Sequence, residues 1–485
     1  MPYLGEKMRI PRFVKSVWIY FAFLSSCLRI SEEERKENLI GEPCLEKSVD
    51  ESLESTFFAK GEWPKNAWWE DFGSEELNGY IQEAISGNPS IQAVRQKIEL
   101  AKEKAKSAES KLYPLVTFDP NARWKFVSKQ GIERAYNPNF PRHARIIDLT
   151  LAFTYEFDFW DKHRNIFRAA LSAEEAERAE LSQIELITAA SLARTYFALK
   201  ANLAKEEIYQ SLYEVRRKLA LLRQLLLNEA IDDLQVVLLA NERAEEAKKW
   251  LFDIEEEVAV NRHLVNILRG KGPDEPIAAD ATLPNLPPKL VIPETLSMDL
   301  LARRPDLMAQ IWRVEALAHE VGAARANFFP AIDLASIAGL SSTVYNLLFN
   351  QSSFEGSILP SIHLPVYTAG DIQAVLDAKR AEYQAAVFLY NDMILKSAEE
   401  VVDTLAYARA VYGKKAEQEA IVSQGSKRLD LASDRLRNGL DNALQTLERK
   451  EELLQKELED LDLAYGRFEA AIALIKAVGG GYGGK

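Results

Sequence analysis

Cysteine is nearly missing from this 485-residue chain, which has only Cys27 and Cys44, both near the N-terminus. Two thiols so placed build neither a disulfide framework nor a metal cluster. Histidine is scarce too, and the five, at 143, 163, 263, 319 and 363, form no metal-ligand pair. His319-Glu320 lacks the rest of a zinc-protease motif, and the glycine run at 479–484 lacks the Lys-Ser/Thr of a phosphate loop. No catalytic constellation is left, so the expectation is a protein that is not an enzyme and carries no cofactor or metal. Positive charge is in deficit: the net charge is −13, and a nucleic-acid partner wants a basic face. After residue 30 no run reaches the ~18 apolar residues of a membrane-spanning helix.

The first thirty residues are different. Arg9, Arg12 and Lys15 precede an apolar stretch from Val17 that ends Leu24-Ser25-Ser26-Cys27. A basic region followed by a short apolar one is a secretory signal. Its ending resembles a bacterial lipobox, which makes Cys27 the expected site of N-terminal lipid modification, palmitate included. Several acyl chains on one cysteine anchor far better than one. Residues 1–27 are thus read as a signal peptide, and the polar, poorly periodic 28–65 as a linker.

Next come two long heptad patterns. Leu447, Leu454, Leu461, Phe468 and Ile475 fall seven apart, with Leu444, Leu458, Tyr465 and Ile472 on a second seam that Glu451 interrupts. Val237, Ala244, Leu251, Val258 and Val265 repeat the spacing earlier. A sustained seven-residue repeat faces a partner helix through a left-handed supercoil. The rods belong to a duplication. Asn88-Pro89 opens a helical stretch closed by Tyr113-Pro114; Arg304-Pro305 opens another, closed by Phe329-Pro330, and both prolines recur after 216 residues. The halves are 66–270 and 294–478, joined by a proline-rich linker at 271–293, with 479–485 a flexible C-terminus. Two further long helices, after Phe167 and after Gly370, are expected to return through tip turns into the rods, the second one broken by Gly413 and Gly425.

Each half carries a non-helical insert. Ile147, Leu149, Leu151, Phe153, Tyr155 and Phe157 alternate with polar residues, and Val116, Phe118, Ala122, Trp124 and Phe126 do the same. Strands are expected at about 115–127, 146–158, 331–340 and 357–366. The first pair has the length and the apolar-out, polar-in alternation of a transmembrane barrel. Four strands cannot close a barrel, and an open edge in lipid is not viable. Several copies must therefore pool their strands; three copies supply twelve.

In this order and spacing, several short motifs resemble the TolC-like outer membrane factor family, in its OprM/NodT-type efflux lipoprotein branch. They are Trp69 with Phe72 and Leu77; Asn88-Pro89; Tyr113-Pro114; Tyr155 through Trp160; Leu300 through Leu307; Phe329-Pro330; Leu364-Pro365-Val366-Tyr367 with Gly370; Gly439-Leu440-Asp441; and Gly479 through Tyr482. The chain departs from the family pattern at Asp161 and at Glu229-Ala230, where glycine is usual, and this bears on turn geometry. The resemblance implies a mainly α fold with membrane β: duplicated coiled coils forming a trimeric α-barrel, plus a trimeric 12-stranded outer-membrane β-barrel. It implies a homotrimer in outer-membrane lipid that extends into the periplasm. It also implies a periplasmic adaptor (membrane fusion) protein, an inner-membrane pump of RND or ABC type, and export of small molecules such as drugs.

By the same alignment Leu444 and Glu448 occupy an apolar ring and an acidic ring at the periplasmic end. Acidic rings are how cation-passing pores are built. The alternative is that Leu444 packs in the seam and Glu448 is a solvated charge. Asp441, Asp232 and Asp233 sit at helix starts, where capping is expected. With Asp441 counted among the gate candidates, Asp232, Asp233 and Gly439 are the candidate adaptor-docking residues. Three rival readings are a type I protein-secretion duct, a soluble coiled-coil scaffold and an outer-membrane enzyme.

Overall fold

The computed structural model describes residues 45–293, 296 and 302–483. The signal peptide and Cys27 lie outside them. Residue 45 starts a short helix, α1 (Glu46–Leu53), and then strand β1 (Phe58–Gly61). This corrects the linker expected at 28–65. β1 pairs in parallel with β4 (Leu290–Pro293), which lies inside the second expected linker. Leu45, Phe58 and Ile292 are buried against Val401, Leu405, Ala470 and Leu474. Four-residue strands 232 residues apart leave no periodic trace in the sequence, yet their apolar side chains close this core.

The first half continues with a 3₁₀ turn at Trp68–Phe72, then α2 (Glu75–Gly87) and α3 (Pro89–Ser110). Strands β2 (Leu115–Phe126) and β3 (His143–Phe157) flank a loop with a one-turn helix α4 (Ile132–Tyr136). Helices α5 (Lys162–Asn228) and α6 (Leu234–Leu268) complete it. The second half holds α7 (Pro305–Ala326), β5 (Ala331–Ser342), β6 (Phe354–His363), α8 (Asp371–Arg437) and α9 (Ala443–Ala477). Both α5 and α8 have 67 residues, about 100 Å of helix at 1.5 Å per residue.

Several expectations shift. β3 starts three residues early, and β6 is displaced three residues toward the N-terminus. Helix α8 runs unbroken through Gly413 and Gly425. At Gly425 a Cβ would come within 3.1 Å of Leu453, so close packing of α9 outweighs a glycine penalty of roughly 1 kcal/mol. Nor is the glycine tail free. Gly479 and Gly480 are buried at φ 96° and 61°, and a Cβ on Gly479 would fall 2.0 Å from the Arg303 carbonyl oxygen. The tail seats on the start of α7 because glycine alone permits that approach.

The main core lies where the 3₁₀ turn and α2 meet α5 and α9. Trp68, Phe72, Leu77 and Ile81 pack against Tyr196, Phe197, Phe468 and Ile472. The two family departures keep the backbone conformation that glycine would have: Asp161 has φ 57° and Ala230 φ 56°. Gly370 and Gly439 hold the matching places in the second half, at 88° and 69°.

Strands β2-β3-β5-β6 form one antiparallel sheet in that order. Its alternation is as expected. Phe118, Trp124, Phe126, Leu151, Ile358 and Ile362 are exposed on one face. Asp119, Asp148, Thr150, Glu156 and Asp333 lie on the other. β2 and β6 are open edges.

Candidate functional site at the helix tips

Each long helix ends in the same hydrogen-bonded turn. At the end of α5 the Ile231 amide donates to the Leu226 carbonyl (2.8 Å) and the Ala230 amide to Leu227 (3.0 Å). At the end of α8 the Leu440 amide donates to Arg435 (2.9 Å) and the Gly439 amide to Leu436 (3.1 Å). This pair of bonds with a left-handed residue is a Schellman end, and it places Gly439 at the turn itself.

The following helices are capped by Asp233, whose carboxylate accepts from the Gln235 amide (3.0 Å), and by Asn442, which accepts from Gln445 (3.0 Å). Asp233 thus caps as expected. Asp232 and Asp441 do not, and this corrects their assignment. Each stands one position before the capping residue and beside an arginine; Asp441 also accepts from the Asn442 amide (2.9 Å), which precedes the helix. Asp232 lies 3.1 Å from Arg223, and Asp441 lies 3.5 Å from Arg435.

Arg223 joins the two halves. Its second guanidinium nitrogen lies 3.0 Å from Glu448 on α9. One side chain on α5 therefore holds both the first tip turn and the wall of the second half. Glu448 remains partly exposed, with an arginine partner rather than a lone charge. One coil-turn deeper, Arg216 is almost fully buried. It donates to Glu451 (2.8 Å) and to the Arg243 carbonyl (2.9 Å), and its guanidinium lies 4.7 Å from the Trp250 ring centre. Glu451 is the residue that interrupts the heptad seam. Leu444 is half-buried beside Leu212, Leu219 and Leu454, on the seam.

Neither arginine was singled out from sequence. The signal was present: Arg216 and Arg223 are seven apart, and a carboxylate inside a seam needs a buried partner.

This arrangement makes or breaks a polar latch between helices; among the described residues no group of His, Cys, Asp and Glu could hold a metal. The tip turns also expose Ile231, Leu234, Leu238 and Leu440, apolar surface of the kind that seats another helix.

Residues 80–252 and 296–480 match the family model described as outer membrane efflux protein. The chain is 26% identical over 437 residues to the multidrug resistance outer membrane protein MdtP of Escherichia coli K12, covering 87% of this chain and 88% of that protein. To MdtQ of Escherichia coli O6:H1 it is 25% identical over 441 residues, covering 90% and 91%. Among solved structures it is similar to the outer membrane protein VceC of Vibrio cholerae (TM-score 0.76, 29% identity, 87% of this chain and 100% of that one). The fold also matches the CmeC outer membrane channel of Campylobacter jejuni (TM-score 0.80, 19% identity, 89% and 91%).

Proposed function

From the premise that this chain belongs to the outer membrane efflux protein family, we propose that it is the exit duct of a tripartite efflux system, passing small molecules from the periplasm or an inner-membrane pump to the exterior. One observation carries the reading. A four-stranded sheet with an apolar outer face and two open edges is inserted between helices far longer than it is. Open edges cannot rest in lipid. Three copies joining β2 to β6 remove every edge and give twelve strands, enough for a water-filled barrel. The paired long helices then continue the lumen into the periplasm. The names of the relatives favour drug efflux over protein secretion.

The tips close the duct. Arg223 ties the first turn to Glu448, and Leu444 packs beneath. An adaptor of the membrane-fusion type, engaging the exposed leucines near Asp232, Asp233 and Gly439, opens them by binding the separated tips more tightly. An inner-membrane pump of RND or ABC type delivers cargo. Acyl chains on Cys27 hold the N-terminal segment to the outer membrane.

The test uses the full-length protein. Cross-linking of the detergent-extracted material should give trimers, and planar bilayers should show small, closed-state currents that grow in an Arg223→Ala, Glu448→Ala variant. A stable monomer, or a complemented efflux-deficient strain that gains no drug resistance, would sink the reading.

A further inference from the structure

The apolar face of the sheet carries one charge. Alternate residues at 116–126 of β2, 143–157 of β3, 332–342 of β5 and 354–362 of β6 share this face. Among them stands a single Lys, Arg, Asp or Glu, namely Arg145. Its side chain is exposed and has no hydrogen bond or ion pair among the described residues. The acids at this end of the sheet are taken: Asp148, on the other face, by Arg123 (2.9 Å), and Glu133, in the loop, by Lys125 (2.6 Å). The β6 that a neighbour brings to β2 adds no acid to the apolar face. Any counter-ion for Arg145 has to come from outside the protein.

The level of Arg145 along the sheet is a second, independent observation. It is the register partner of Trp124, and His143 is that of Phe126, whose ring it meets edge-on at 5.0 Å. Trp124 and Phe126 are strongly exposed, as is Phe159 beside Phe157 at the opposite end. Aromatic girdles of this kind mark the two boundaries of a barrel's apolar band, which is about 25 Å tall. From Phe157 back to Arg145 is 12 residues, about 40 Å of strand, or about 30 Å of height at a tilt of about 40°. Arg145 thus lies at the outer boundary, level with lipid phosphates rather than acyl chains. The charge of the chain is distributed to match. Residues 121–147 hold six Lys or Arg against one acid, in a chain of net charge −13. Two of the six, Lys129 and Arg142, are exposed and unpaired among the described residues. The Val127 amide donates to the Arg142 carbonyl (2.8 Å), which sets both just beyond the last rung of the β2–β3 ladder.

We infer that Arg145 binds a phosphate group of a lipid in the outer leaflet, with Lys129 and Arg142 attracting the same headgroup from the loop. The guanidinium donates parallel N–H bonds to the phosphate oxygens. The acyl chains lie on the apolar row below it, against Ile147, Leu149 and Leu151. Clusters of Lys and Arg beside a membrane take anionic headgroups by the same attraction. The inference rests on the duct reading, which sets this face in lipid and this end outward. It goes further by adding a bound lipid, one per chain, beside the β2 edge through which copies join.

The experiment is native mass spectrometry of the purified, delipidated full-length trimer titrated with lipid A, a bisphosphorylated glycolipid. Lipid A stripped of its phosphates, and excess inorganic phosphate, serve as comparisons. The expected result is stepwise binding of lipid A to one per chain, binding of the stripped lipid weaker by about tenfold or more, and no displacement by inorganic phosphate. Arg145→Gln should weaken lipid A binding about tenfold, the loss of one charge-assisted contact, and leave the stripped lipid unaffected. Lys125→Gln, the same change of charge on the lumen face, should leave both unchanged. Should Arg145→Gln fail to assemble, the two lipids compared on the unaltered trimer carry the test. Equal binding of the two lipids would mean only an apolar belt and overturn the inference. Equal losses from Arg145→Gln and Lys125→Gln, a diffuse positive field, would do the same, as would displacement by inorganic phosphate. Any of these in a trimer that conducts in bilayers sinks this inference alone; a preparation that forms no conducting trimer sinks the duct reading.

Discussion

The two halves of the chain share a framework and divide the labour at its ends. Their long helices have identical lengths, 67 and 35 residues, displaced by 209. At the end nearer the sheet the halves solve one problem in one way. Gly270 and Gly479, both at positive φ, close α6 and α9 and lie against the residues that open α3 and α7. The last carbonyls are taken by different side chains in matching places: Asn88 donates to Leu268 (2.8 Å), and Arg304 donates to Ala477 (2.8 Å). At the tips the symmetry fails. The places of Arg216 and Arg223 are held in the second half by Gly425 and Ala432, and that of Glu448 is held in the first by Leu239. All the charge that crosses between α5 and α9 runs one way. The second half therefore has no counterpart of the Arg216 and Arg223 ties, although Glu242 stands where Glu451 does. The junction near the sheet is duplicated, and the arginine ties at the tips are not.

The largest way to break this comparison is at Arg216. Arg216→Met leaves Glu451 buried without a partner and should cost about 3–5 kcal/mol, read as a lowered denaturation midpoint. Methionine at 216 together with Leu at 451 should recover most of the loss.

The shared junction is probed next. Gly479→Ala meets the Arg303 carbonyl at 2.0 Å, while Gly270→Ala meets the Gly87 carbonyl at 2.9 Å. The first should destabilise by over about 2 kcal/mol and the second by less; thermal melting of the pair ranks them.

The tip turns permit a reciprocal exchange. Ala230→Gly should stabilise, and Gly439→Ala destabilise, by about 1 kcal/mol each, visible as opposite shifts in amide exchange at the two turns. Arg223→Ala is smaller still in stability, about 1 kcal/mol or less for a partly exposed pair, but it should raise bilayer conductance where Arg435→Ala does not.

The last test is a pH dependence that runs through Glu400. Burial pushes its carboxyl upward, but Arg304 and Lys476 outweigh this and hold it below its ordinary 4.5. A group with a depressed folded pKa stabilises fully above its unfolded value and loses that contribution as pH falls through the folded one. Melting temperature should therefore drop as pH is lowered below about 4.5, and less steeply in Glu400→Gln.

Much of this was legible because it repeats or alternates. Prolines at 89, 114, 305 and 330 bracket helices whose ends the structure reproduces, and period two marked the strands to within a few residues. What escaped was long-range and aperiodic. Nothing local announces that Phe58 pairs beside Leu290, or that the glycine tail is a packed seat rather than a loose end. Glu451 looked like a flaw in the seam because its explanation, Arg216, lies 235 residues away. The capping role of Asp232 and Asp441 failed by one residue, an offset only the turn geometry decides.

The open edges of the sheet carry a last consequence, for the cell rather than the molecule. A copy whose β6 cannot pair is not merely idle, because it occupies a place that its healthy siblings need. Mixed expression of intact chains with an edge-blocked variant should therefore lower export out of proportion to the amount of faulty protein, the genetics of a poisoned ring.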